Sequence, residues 1–138
     1  MSVHQRRLKV IQFTLAGVAY DCQVKSWQMT NNTPTGDKQF SFCADGTGEF
    51  REEVDPDYSL DLTFWADWTS GGINDYLTLN DQVTVAFQLD HHPFVVGEHV
   101  RWAGTCQLRA PNVGGEPRVT EQFETTFPVI GKPTYSRP

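Results

Sequence analysis

The chain has 138 residues, a net charge of −6 and 38% hydrophobic residues. That length suits one domain with a packed core, and no apolar run is long enough to cross a bilayer. Residues 37–99 hold thirteen acids against Lys38 and Arg51, while both flanks are mildly basic, a balance that argues against binding free DNA through phosphate contacts.

Thirteen Val, fourteen Thr and seventeen aromatics stand against seven Ala, a composition for sheets rather than helices. Cys22, Cys43 and Cys106 are widely spaced with no CxxC pair, so neither a zinc knuckle nor a redox motif is indicated, and all three are expected as buried free thiols. The segment after His4, Arg6, Arg7 and Lys9 alternates polar and apolar residues instead of forming the apolar stretch of a secretory signal.

In chain order, residues 1–7 read as a flexible polar arm, residues 8–133 as a single β domain and residues 134–138 as a C-terminal tail. Lys9 to Leu15 alternates, Gly17 turns, and Ala19 to Met29 reads as the return strand of a hairpin, with Tyr20, Cys22 and Val24 on one face and Trp27 on the other. Thr30–Asp37 is a loop by its turn residues. Gln39–Ala44 is a short strand carrying Phe40 and Phe42, Asp45–Gly48 a tight turn, and Glu49–Asp57 an acidic exposed loop or edge strand. Ser59 to Trp68 alternates, with Leu60, Leu62, Phe64, Ala66 and Trp68 inward and Asp61, Thr63, Trp65 and Asp67 outward.

Ile73, Tyr76 and Leu77 carry helical spacing, which predicts one short helix over Gly72–Asn80, with Ser70 as its N-cap and Asp75 in its first turn. Three strands are expected after it. Gln82–Asp90 has Val83, Val85, Phe87 and Leu89 inward. Glu98–Arg109 has Val100, Trp102, Cys106 and Leu108 inward, and Arg118–Ile130 carries Phe123 and Phe127. Ala110–Pro117 is a loop and Gly131–Pro138 a Pro-containing tail. The sum is mainly β: a two-sheet β-sandwich or small barrel with one short flanking α-helix.

No catalytic constellation emerges. His91 and His92 are adjacent, so on extended backbone they point to opposite sides, and with Asp90, His99 and Cys106 they lack metal-ligand spacing. No GxSxG or phosphate loop is present, and Asp55 and Asp57 sit in an acidic Pro loop with nothing to raise either pKa. The reading is of a non-enzyme with no catalytic, cofactor-binding or metal residues and no cofactor. Trp27 and Trp65 are the candidate contact aromatics, on the alternative that they are core.

The element order, together with Leu60-Asp-Leu-Thr-Phe-Trp-Ala-Asp-Trp68, the helix at 72–80 followed by Val83–Leu89, Trp102-Ala-Gly-Thr-Cys-Gln-Leu108, the Gly114-Gly-Glu-Pro-Arg118 loop and a closing strand through Phe127-Pro-Val-Ile-Gly131, resembles the major tail protein, or tail tube protein, of long-tailed bacteriophages. The resemblance spans roughly residues 8–133. It implies a tail-tube-like sandwich with a flanking helix. It also implies a virion protein, made in the host cytoplasm, whose six-membered rings stack into a hollow tube that delivers the genome. The ring's inner wall would be a continuous barrel built by all subunits. The long loop (30–38 or 49–57), the N-terminal arm and the residues after Gly131 would contact the next ring. Partners would be further copies of itself and other tail proteins such as the tape measure, terminator and baseplate, with no membrane involved. DNA would pass without specific binding, and an acidic wall would repel it. Asp61 and Asp67, on the polar side of the central strand, are then the candidate lumen-lining residues. Two alternatives stay open: a carbohydrate- or protein-binding β-sandwich module using Trp27 and Trp65, or another small virion protein such as a tail terminator or head decoration protein.

Overall fold

The structure is a computed structural model that describes residues 2–138. Nine strands form in chain order: β1 (Ile11–Leu15), β2 (Val18–Ala19), β3 (Val24–Asn31), β4 (Lys38–Phe40), β5 (Glu49–Arg51), β6 (Tyr58–Trp65), β7 (Thr84–His91), β8 (Val100–Gln107) and β9 (Gln122–Ser136). The one α-helix among the described residues, α1, runs Ile73–Leu79. Seven strands make one antiparallel sheet in the order β2-β1-β7-β8-β9-β6-β3, and β4 and β5 pair separately as a hairpin.

The large sheet folds over on itself. Three strands separate β1 from β6 within the sheet, yet the rings of Phe13 and Phe64 are 6.3 Å apart across the interior. The fold-over is made by β9. Its first half pairs with β6, from Gln122 opposite Trp65 to Val129 opposite Tyr58, and it pairs with β8 from Val129 opposite Cys106 to Ser136 opposite Arg101. Between Ile130 and Thr134 the register against β8 jumps, and Gly131 takes φ +71°. A bulge with a left-handed glycine bends a strand sharply, and only glycine adopts that conformation without a Cβ penalty. The expected tail after Gly131 is therefore strand as far as Ser136.

Inside lie Phe13, Leu15, Leu60, Leu62, Phe64, Phe87, Leu89, Cys106, Leu108, Phe123 and Phe127, with Ile73 and Leu77 of α1 closing one side. β1, β6, β7 and the first half of β9 contribute alternate residues to this core, as a half-buried sheet requires. The mainly β, barrel-like architecture with a single short helix matches the expectation from the sequence.

Five local readings change. The β1–β2 turn uses Ala16 (φ 51°) and Gly17 (φ 83°), the two positive-φ positions of a tight hairpin turn. The return strand is only two residues long, however. The chain then makes a 3-10 turn at Asp21–Gln23 and crosses to the other edge of the sheet as β3. In β3 a bulge at Lys25 shifts the register, so that Val24 opposes Phe64 and Trp27 opposes Leu62. Both therefore face inward, whereas strict alternation had put Trp27 on the opposite face from Val24. Strand β6 stops at Trp65, so Ala66, Asp67 and Trp68 are not part of its alternation, and Trp68 is exposed. The helix is capped by Gly72 rather than Ser70. Val83 precedes β7 and is exposed instead of inward.

The ends are tied down. His4 and Arg6 both pair with Glu98, Arg6 at 2.6 Å. Arg137 donates to the Gly97 carbonyl at 2.5 Å. Of the cysteines, only Cys106 is buried; Cys22 sits in the exposed 3-10 turn and Cys43 near the hairpin turn. Burial pushes the Cys106 thiol up to about 12. Among the described residues, no helix is long and apolar enough to cross a membrane.

Candidate functional site: the polar face of β3, β6 and β9

The outward faces of β3, β6 and the first half of β9 form one continuous polar surface. The register sets Gln28 against Asp61, Ser26 against Thr63, Asp61 against Thr126 and Thr63 against Glu124. These residues alternate with Leu60, Leu62, Phe64, Phe123 and Phe127, so the same period that builds the core places Asp61, Thr63, Glu124 and Thr126 on the outer side. The face holds a shallow hollow of about 390 Å³ bounded by Ser26, Gln28, Asp61, Thr63, Glu124 and Thr126.

Asp61 lies at its centre. Thr30 Oγ1 donates to one carboxylate oxygen at 2.6 Å, and Thr126 Oγ1 donates to the other at 2.9 Å. Hydroxyls from both neighbouring strands thus fix the carboxylate flat on the sheet. At the margin, Lys25 in the bulge donates to Gln122 at 2.9 Å and lies over the Trp65 ring at 5.0 Å. A cation above an indole of this sort gives a modest attraction and covers the ring.

Asp67 is elsewhere, in the turn between β6 and α1. Its Oδ1 accepts from both the Thr69 amide and the Thr69 hydroxyl, and these bonds hold the carboxyl below the usual range. Its backbone is locked to Asn74, whose side-chain oxygen accepts from the Asp67 amide at 2.8 Å while the Asn74 amide donates to the Asp67 carbonyl at 3.1 Å. A Cβ on Gly72 would lie 2.6 Å from that carbonyl oxygen, so the close approach requires glycine. The structure therefore separates the two carboxylates that strict alternation had placed on one strand face.

The two candidate tryptophans are also separated. Trp27 packs against the core, 5.7 Å from the His91 ring, with its Nε1 buried and unpartnered. Trp65 stands on the outer face. The pair makes no common platform.

A second polar group, which the sequence reading treated only as a poor metal site, lies at the start of β8. Asp90 is fully buried. Arg101 grips both its oxygens at 3.0 Å, and His99 Nε2 adds a contact at 2.9 Å. Burial opposes the charge, but Arg101 and His99 outweigh it and hold the carboxyl below its ordinary range. His91 turns away to accept from Trp102 Nε1 at 3.3 Å, and burial, then His92, lower its pKa. Among the described residues, no three His, Cys, Asp or Glu are grouped so as to hold a metal ion.

The sequence reading singled out Asp61 on this face but missed Glu124, Thr30 and Thr126. Their signal was present in the Gln122–Thr126 alternation around Phe123, but only the pairing of β9 with β6 brings them beside Asp61.

No family model matches the chain, and no curated protein matches it. Among solved structures, the fold is shared with a chain from the tail of an empty GTA particle, determined by helical refinement with C6 symmetry. The superposition has a TM-score of 0.61 at 12% identity and covers 92% of this chain and 94% of that one. This chain thus shares that chain's fold along almost its whole length, with few residues in common.

Proposed function

We propose that the chain is a structural subunit of a phage-like tail, whose copies close into a ring of six and stack into a tube that conducts the genome. The observation that carries this reading is the shared fold with a C6-symmetric tail chain over more than nine-tenths of both chains. Edge chemistry supports it. β3 is an eight-residue strand at the sheet margin with no further strand beside it among the described residues. An unpaired edge of that length is a template for another chain, and ring closure would remove it. The polar face of β3, β6 and β9 then lines the lumen, with Asp61 and Glu124 as its acids, while Asp67 lies apart in the turn before α1.

Such a wall suits passing DNA. It offers little positive charge beyond Lys25, which lies over the Trp65 ring, so phosphates find few counter-charges to hold them. Negative-stain microscopy of purified protein tests the assembly. Long hollow tubes support the reading, single closed rings support a terminator, and monomers at high concentration refute both. The separation of Trp27 from Trp65 leaves the carbohydrate-binding alternative without a stacking platform.

A further inference from the structure

The charges on the outer face of β3, β6 and β9 are few and unevenly placed. In β3, β6 and residues 122–129 of β9, Lys25 is the sole Lys or Arg, and Asp61 and Glu124 are the only acids. Asp61 lies at the centre of the face. Lys25 lies at one end, in the bulge between Val24 and Ser26, where β6 finishes at Trp65 and β9 begins at Gln122. Trp65 is 37% exposed there, an indole on an otherwise polar surface.

Only neutral groups meet the Lys25 ammonium. Gln122 Oε1 accepts from its Nζ at 2.9 Å, and the centre of the Trp65 ring is 5.0 Å from it. Trp65 and Gln122 are directly opposed in the β6–β9 register, so the two strands present indole and amide as one cradle. Among the described residues Lys25 makes no ion pair. The cradle therefore leaves the charge intact and fixes its position. That position follows from the strand order β9-β6-β3. Neighbouring strands are about 4.8 Å apart, so a lysine on β3 reaches a glutamine on β9 only by lying across β6. The alkyl stem is laid along the sheet, and the ammonium stays over the ring instead of standing out from the wall.

We propose that Trp65 and Gln122 are positioning residues for genome conduction: they hold Lys25 flat against the wall, out of reach of passing DNA phosphates. This rests on the tail reading, in which this face lines the lumen. To meet a phosphate, the ammonium must give up both the amide and the indole. Repetition makes one side chain matter. Every copy in a ring would contribute one such lysine, and stacked rings would repeat it along the duplex. DNA affinity grows with the number of phosphates neutralised, so many weak contacts freed together would retain the genome.

Removing the cradle while keeping the lysine tests this. Assembled tubes of Trp65→Ala with Gln122→Ala should bind a labelled double-stranded DNA fragment about tenfold more tightly than wild-type tubes at low salt, and lose the gain as salt rises. Trp65→Leu with Gln122→Ala keeps an apolar side chain over the sheet; it should show the same gain, and it carries the test if the double alanine variant does not assemble. Adding Lys25→Met to either variant should return binding to the wild-type level, a reversal that general damage from losing the indole would not show. Tubes without the gain overturn the proposal, and so does a gain that survives Lys25→Met. Tubes of Asp61→Lys with Glu124→Lys separate the two readings. If they gain salt-sensitive DNA binding and the cradle variants do not, the cradle proposal fails and the tail reading stands. If neither gains it, this face does not line the channel and the proposal falls with that placement. A wild-type chain that never forms tubes overturns the tail reading and the proposal together.

Discussion

The curled sheet and the β4–β5 hairpin solve the same problem in opposite ways. Both are antiparallel strands rich in phenylalanine. In the sheet, alternation points every Phe into an interior closed by α1 and by the bend in β9, and the rings of Phe64 and Phe123 stack there at 5.2 Å. In the hairpin, two three-residue strands have no second layer, so Phe40, Phe42 and Phe50 remain in water. A lone two-stranded ribbon is marginal by itself. The difference teaches that apolar content does not decide burial; a second layer does.

The largest test of that contrast is a pair of truncations. Phe64→Ala should cost about 3–5 kcal/mol of unfolding free energy, because it opens a cavity in a closed core. Phe42→Ala should change monomer stability by less than about 0.5 kcal/mol, since the ring is in solvent. Chemical denaturation of both variants measures this; equal losses would show that the hairpin packs on its own barrel.

A smaller effect is expected at Asp90. Arg101→Met leaves a fully buried carboxylate with His99 as its remaining partner, a loss on the order of 2 kcal/mol. Because the folded-state pKa of Asp90 is depressed, its contribution is present above the ordinary carboxylate pKa and lost as pH falls through the lower folded value. The wild type should therefore lose stability on acidification more steeply than the variant, which pH-dependent melting would reveal. Parallel curves would remove Asp90 from the acid transition.

Thiol chemistry separates the two regions without mutation. Cys43 near the hairpin turn and Cys22 should react quickly with a water-soluble thiol reagent, and Cys106, raised to about 12 inside the sheet, should react only after unfolding.

The smallest structural effect is expected on the polar face. Asp61→Lys with Glu124→Lys should leave the fold within about 1 kcal/mol, since both side chains point outward. Assembled tubes should nevertheless gain DNA binding that falls as salt rises. Tubes with no such gain would mean that this face does not line the channel.

Much of the fold was legible in the residues. Alternation in Ser59–Phe64 announced a strand and its buried side, and the i, i+3, i+4 spacing of Ile73, Tyr76 and Leu77 announced the helix, because local periodicity follows directly from backbone geometry. The acidic middle and the aromatic run at Phe40 and Phe42 were equally plain. What the tertiary structure alone decided were the events that break a period. The bulge at Lys25 turned Trp27 inward, the end of β6 freed Asp67 to build a turn with Asn74, and the bend at Gly131 converted an expected tail into a strand against β8. Each depends on a partner strand or turn distant in sequence, and so does the meeting of Asp61 with Thr30 and Thr126. A period of two is set by neighbouring residues; the point at which it slips is set by what lies across the sheet.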